Sequence, residues 1–254
     1  MKRIIGVAAL LTLVAATALA PRAMAQCVTG TGTNILLKWD ANGFAWETNG
    51  PGFADPLQNP VGFMSTPGST LHNELATTLL CGPLAGLDPN APGYEVTMVW
   101  DGLVSHGTTT SPFGSSGTKY VTVYTGGTFQ LFQGPVNARG FDASTVPQPP
   151  AAYPLYADGS VILSGTLDTL TTTITVSSFG TVGGSFRGRY TITGGPYKSQ
   201  FCNGQTVAAL FDGVWVPTTP PPGYEAHDNG KFDAPDCATP ASRSTWGKIK
   251  ALYR

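Results

Sequence analysis

Charge is what this sequence has least of. Only 11% of its 254 residues are Asp, Glu, Lys or Arg, and the glutamates number just four: Glu47, Glu74, Glu95 and Glu225. The three histidines, His72, His106 and His227, stand apart with no HxH or HExxH spacing, so no metalloprotease ligand pattern is present. The four cysteines form no CxxC pair, which argues against a metal knuckle or a redox motif. No GxSxG elbow occurs, since "GSSG" at Gly114–Gly117 is one residue short. No two glutamates lie close enough in sequence to share a strand as the acid pair of a glycosidase. Asp101, at the end of "TMVWD", is the best-placed single carboxylate and reads as a turn residue. These gaps together point away from an enzyme, and no catalytic residue and no cofactor is expected.

Long apolar runs are missing too, except at the start. Lys2 and Arg3 precede the charge-free stretch Ile4–Ala20, and "AMA" at Ala23–Ala25 is a small-x-small cleavage pattern. Residues 1–25 therefore read as a secretory signal peptide, with Gln26 opening the mature chain. Cys27 follows directly, but Gln26 is too large for the processing that attaches lipid to such a cysteine. Removing Lys2, Arg3 and Arg22 leaves 11 basic residues against 15 acidic ones, a net charge of −4. A mildly acidic chain without a long basic run is a poor nucleic-acid binder. After signal removal no transmembrane helix is expected. An exported chain with an even cysteine count implies two disulfides among three possible connectivities, and sequence proximity favours Cys27–Cys81 and Cys202–Cys237.

Glycine, threonine and alternating apolar residues are abundant instead. "YEVTMVW" puts Val96, Met98 and Trp100 on one face, and "GSFRGRYTITGG" puts Phe186, Tyr190 and Ile192 opposite Arg187, Arg189, Thr191 and Thr193. "NILLKWD" reads as a short strand closing at the turn "DANG", and "TVAALFDGVWV" as a last strand. "KYVTVYTGGTFQLFQG" reads as a hairpin turning at Gly126-Gly127, and "GSVILSGTLDTLTTTITV" as a second turning at Asp168-Thr169. In "STLHNELATTLL", Leu71, Leu75 and Leu79 recur at i, i+4 and i+8, which predicts one short internal helix ended by Gly82-Pro83. The fold class expected is all-β: an antiparallel β-sandwich or barrel, with that helix and a short C-terminal amphipathic helix. The expected organisation is signal peptide 1–25, β-sandwich domain 26–216, Pro/Gly-rich extended segment 217–243 and tail 244–254.

Two binding chemistries deserve weighing. "HDNGKFDAPD" brings Asp228, Asp233 and Asp236 close in sequence as weak calcium candidates, but no EF-type loop is spelled out and Asx-Gly turns explain the stretch. Glycan binding is the more natural function. Tyr120 and Tyr124 alternate on one strand around Thr122, so that face reads as solvated and, with Trp100, as a surface for stacking sugars.

"YEVTMVWDGLVSHGT", "YTGGTFQLF", "DGSVILSGTL", "GSFRGRYTITGG" and "PPGYEAHDNGKF" together resemble secreted β-rich proteins of environmental bacteria, in style like exported proteins with a PEP-CTERM sorting domain. The PEP tripeptide and membrane helix of that domain are absent here, and the resemblance implies no catalytic residue. It directs attention to the ending "STWGKIKALYR". Trp246, Ile249, Leu252 and Tyr253 share one helical face, with Lys248, Lys250 and Arg254 towards the end where cations favour the helix dipole. So short a helix needs a surface to dock on, whether its own domain or an external receptor. The sequence therefore reads as an exported, non-enzymatic cell-surface or matrix protein with a localisation tail and a cell-envelope or polysaccharide partner. A glycan-binding module is the alternative, and a secreted glycan-active enzyme the third reading.

Overall fold

The computed structural model describes residues 27, 34–48, 64–136, 153–180, 182–216 and 224–237. The signal segment 1–25 and the tail 244–254, with Trp246, Ile249, Leu252 and Tyr253, lie outside the described residues.

Strands dominate: β1 (Ile35–Thr48), β2 (Thr70–Ala76), β3 (Leu79–Leu80), β4 (Glu95–Phe113), β5 (Gly117–Gly134), β6 (Ser160–Val176), β7 (Val182–Gly194), β8 (Ala208–Val216) and β9 (Ala226–Asp233). All pairings are antiparallel, and β4 to β9 run as a simple meander. β1 then pairs with β9 along one side and with β2 along the other, which closes the sheet on itself. The result is an eight-stave up-and-down barrel in which the two residues of β3 prolong β2 along β1. Of the two all-β architectures expected, closure selects the barrel. Closure also removes the exposed edges on which open sheets aggregate.

The interior is filled by alternate residues of every stave. Trp39, Trp100, Phe129, Phe186, Tyr190, Phe211 and Phe232 form one continuous aromatic cluster. Phe211 stacks on Phe232 at 5.0 Å, Tyr190 tilts onto Phe232 at 4.5 Å, and Trp39 meets Trp100 edge-on at 5.8 Å. Such pairs contribute about 0.5–1.5 kcal/mol each beyond their area burial. Rings this large fit because several inward positions are glycine. A Cβ on Gly188 would lie 2.2 Å from Phe211, on Gly213 2.2 Å from Phe186, and on Gly184 2.3 Å from Trp215. The inward pattern expected for β4 and β7 holds: Val96, Met98, Trp100, Phe186, Tyr190 and Ile192 are all buried.

Five expectations need correction. The segment read as a helix is β2 and β3, since a Leu71–Leu75 spacing of four fits a strand's period as well as a helix's. Pairing with β1 and β4 decides it, and Leu71, Asn73 and Leu75 point inward together. Among the described residues the one α-helix is a single turn at Tyr153–Tyr156. The two expected hairpins are continuous strands, β5 and β6. Gly126, at φ 64°, bends β5 where its partner β4 bends at Gly102, at φ 80°, so the pair turns a corner of the barrel without reversing. "DANG" does not end β1, which continues past an irregularity between Trp39 and Gly43. Finally, the 217–243 segment is not merely extended: β9 falls inside it and supplies the stave between β8 and β1. The β domain therefore runs past residue 216.

Both favoured disulfides form. Cys27 joins Cys81 across 5.8 Å between Cα atoms, and Cys202 joins Cys237 across 4.9 Å. With a sequence separation of 54, the first closes a loop that contributes about 4 kcal/mol in the chain-entropy picture. Alkylating the denatured, unreduced protein is expected to label no cysteine. A Cys27→Ser/Cys81→Ser variant is expected to unfold at clearly lower denaturant concentration; an unchanged midpoint would contradict this assignment.

Candidate functional site

The polar side chains of this barrel gather in two places. The first is the end of the barrel interior where β1 finishes. Glu47 points inward from β1 opposite Leu71, and Tyr124 on β5 donates its hydroxyl to Glu47 Oε1. Ser65 Oγ, 2.7 Å from Ser105 Oγ, interacts with both. Glu225, just before β9, completes the group, its carboxylate accepting from the Glu47 backbone N–H. Glu47 is 3% and Glu225 5% exposed, and no described Lys or Arg is paired with either. Burial pushes the Glu47 carboxyl above its ordinary range, and burial together with the neighbouring Glu47 carries Glu225 up to about 8. At neutral pH Glu225 therefore keeps its proton. Deeper in, Asp228 on β9 is fully buried, accepting from Trp39 Nε1 at 2.7 Å and from Asn73 Nδ2 at 3.1 Å. Burial outweighs both bonds and raises its carboxyl to about 7.

The second place lies on the outer wall of β1, β2 and β4, where Tyr156 and Tyr224 pack over Phe44, Trp46, Val99 and Phe132. Trp46 donates to Glu74 Oε1 at 2.9 Å, and the Tyr224 hydroxyl lies near the same carboxylate. Burial lifts Glu74 to about 7. His72 stacks flat on Trp46 at 4.2 Å and holds Asp101 through Nδ1 at 2.9 Å. Burial lowers the His72 pKa, and Asp101 opposes the change. An imidazole oriented by a carboxylate is the base half of a nucleophilic pair. Here its Nε2 is buried and meets no hydrogen-bond partner among the described residues. The dyad is thus a wall fastening, and Asp101 is a strand residue rather than the turn residue expected.

The expected sites fare unevenly. Trp100 and Tyr124 are wholly buried, Thr122 with them, and Tyr120 packs against the same core. The face read as solvated is therefore the inside of the barrel, and these rings cannot stack on a sugar outside it. The weak calcium candidates do not converge either. Asp228 points into the core, Asp233 binds Lys231, and Asp236 is exposed beyond β9. Among the described residues no three His, Cys, Asp or Glu side chains are placed to hold a metal ion. The sequence reading missed the Glu47–Glu225 pair because its members come from opposite ends of the chain. The one available signal was Glu47 in step with Ala45, at an inward position of "FAWET".

Comparison with known protein families, with curated proteins and with solved structures finds no match to this chain.

Proposed function

We propose that this chain is exported and works at the cell surface or in the extracellular matrix by binding rather than by catalysis, its residues 244–254 serving as a localisation tail. The observation that carries the reading is the pair of disulfides, which uses every cysteine. Structural disulfides form and persist in oxidising compartments. No described helix is long and apolar enough to cross a membrane. The outer faces of β6 and β7 carry threonine and arginine, the reverse of the apolar outer band of a lipid-facing barrel.

Binding by the outer wall is supported by the state of the interior. The barrel's own rings fill it, and its acid pair is sealed from water, so a glycan has no path to two working carboxyls. A cell-envelope component or a polysaccharide is the partner this favours. The test is fractionation of cells expressing the full chain and a form truncated after Ala241. The truncated form is expected to leave the envelope for the medium with an unchanged melting temperature. Retention in the envelope would refute the tail's role, and a lowered melting temperature would instead assign it to packing.

A further inference from the structure

The outer wall is not uniform. Six described side chains are basic: Lys38, Lys119, Arg187, Arg189, Lys198 and Lys231. Lys38 is paired with Asp40, and Lys231 with Asp212 and Asp233. Arg187 and Arg189 have no described carboxylate within ion-pair distance, and both are exposed. Asp212, opposite Arg187 on β8, is turned to Lys231 at 3.3 Å. The two arginines stand on the same face of β7, about 7 Å apart as alternate strand residues. Beside them on β6, Thr169 faces Arg189 and Thr171 faces Arg187 in register, with Thr173 next to Ser185. These groups line a shallow open furrow of about 340 Å³ along the two strands.

Neither edge protection nor core packing explains these charges. β7 is an interior stave of a closed barrel, so no edge needs blunting, and the neighbouring threonines already supply a polar outer face. Gly188, between the arginines, lets Phe211 lie against the backbone beneath them. The guanidinium pair therefore projects from a strand braced by the aromatic core.

We propose that this face of β6 and β7 binds an acidic polysaccharide, Arg187 and Arg189 clasping successive carboxylates or sulfates and the Thr169–Thr173 row hydrogen-bonding the sugar hydroxyls. The proposal rests on the reading that the barrel meets its partner with its outer wall. Planar guanidinium forks suit such anions because each forms two parallel N–H···O bonds. A row of hydroxyls, donor and acceptor alike, suits a polyol. The furrow is open at the surface, as a site for a chain passing through must be, and the exposed arginines make the binding salt-sensitive.

The test uses the secreted, disulfide-bonded protein with polygalacturonate and dextran sulfate as probes and uncharged dextran as control. Saturable binding to an acidic probe, weakened by salt and absent with dextran, is expected. Arg187→Gln and Arg189→Gln are each expected to weaken it about tenfold and the double variant about a hundredfold, as for lost charge-assisted bonds. Lys198→Gln, an equal charge change outside the furrow, is expected to leave binding intact. Replacing both arginines with lysine is expected to recover only part of the affinity. Arg187 and Arg189 are exposed and Lys198 is half-buried, and an unchanged melting temperature confirms that each variant is folded. Failure to bind either acidic probe, equal binding by the double variant, equal weakening by Lys198→Gln, or binding only to anionic lipid vesicles would overturn the proposal. A protein that reaches the envelope yet binds neither probe sinks this inference alone. One that binds them but remains inside the cell sinks the export reading instead.

Discussion

Raising the pH from about 5 to about 9 is expected to lower the melting temperature of this barrel by roughly 10 °C or more. Four acids are responsible: Glu47, Glu74, Glu225 and Asp228, all buried. No described cation pairs with any of them: Tyr124 donates to Glu47, Trp46 to Glu74, Trp39 and Asn73 to Asp228, and Glu225 lies beside Glu47. Each carboxyl is held above its unfolded range, Glu225 at about 8 and Glu74 and Asp228 at about 7. A raised folded pKa means that the native state keeps protons the unfolded chain has already released. The stability is thus fully present below the unfolded range and is lost as pH rises through about 7 to 8. Glu225→Gln keeps the shape and removes one proton-binding site. It is expected to be more stable than the parent at about pH 8, to match it near pH 5, and to flatten the profile. Thermal scans across pH decide the matter, and a parent that is most stable near pH 9 would refute the account.

These acids show where a linear reading of the chain succeeds and where it stops. Period-two alternation grouped the inward sets of β4 and β7 because Val96, Met98, Trp100, Phe186, Tyr190 and Ile192 are apolar against neighbours that, Val99 apart, are polar or glycine. On β5 the same alternation grouped Tyr120, Thr122 and Tyr124 correctly but gave no hint of which side they face. The opposite set, Lys119, Val121, Val123 and Thr125, is no more polar, and only closure of the barrel turns the tyrosines inward. β9 escaped notice for a related reason: its inward positions are Ala226, Asp228, Gly230 and Phe232, of which one alone is a large apolar residue. That composition makes sense only beside Trp39, whose ring fills the space over Gly230 and whose N–H meets Asp228. Contacts between β1 and β9 are the longest-range in the sheet, and a local pattern carries no information about them. Cysteine spacing did succeed across distance, because each favoured pair is also the nearest in sequence.

Trp39 is accordingly where a single substitution is expected to cost most. Its indole touches Trp100 at 5.8 Å, Phe186 at 6.3 Å and Phe232 at 6.1 Å between ring centroids, and it is wholly buried. Trp39→Ala removes that volume from a closed barrel whose wall is fixed by hydrogen bonds all round and has little freedom to collapse. A loss of about 3–5 kcal/mol follows from the cavity alone. Asp228 adds to it, since its best donor is gone and only Asn73 remains. Trp39→Phe separates the two contributions: it keeps an aromatic body but leaves Asp228 Oδ1 without a donor. If packing dominates, Phe is expected to recover most of the stability at every pH. If the hydrogen bond matters, the Phe variant is expected to lose more above about pH 7, where Asp228 ionises, than below it. Asp228→Asn then completes a double-mutant cycle with Trp39→Phe, read as denaturant midpoints at about pH 5 and about pH 9. We expect coupling between the two sites at the higher pH and much less at the lower. Equal coupling at both would show that the carboxyl keeps one protonation state throughout, and no coupling at either that Trp39 holds the barrel by its shape alone.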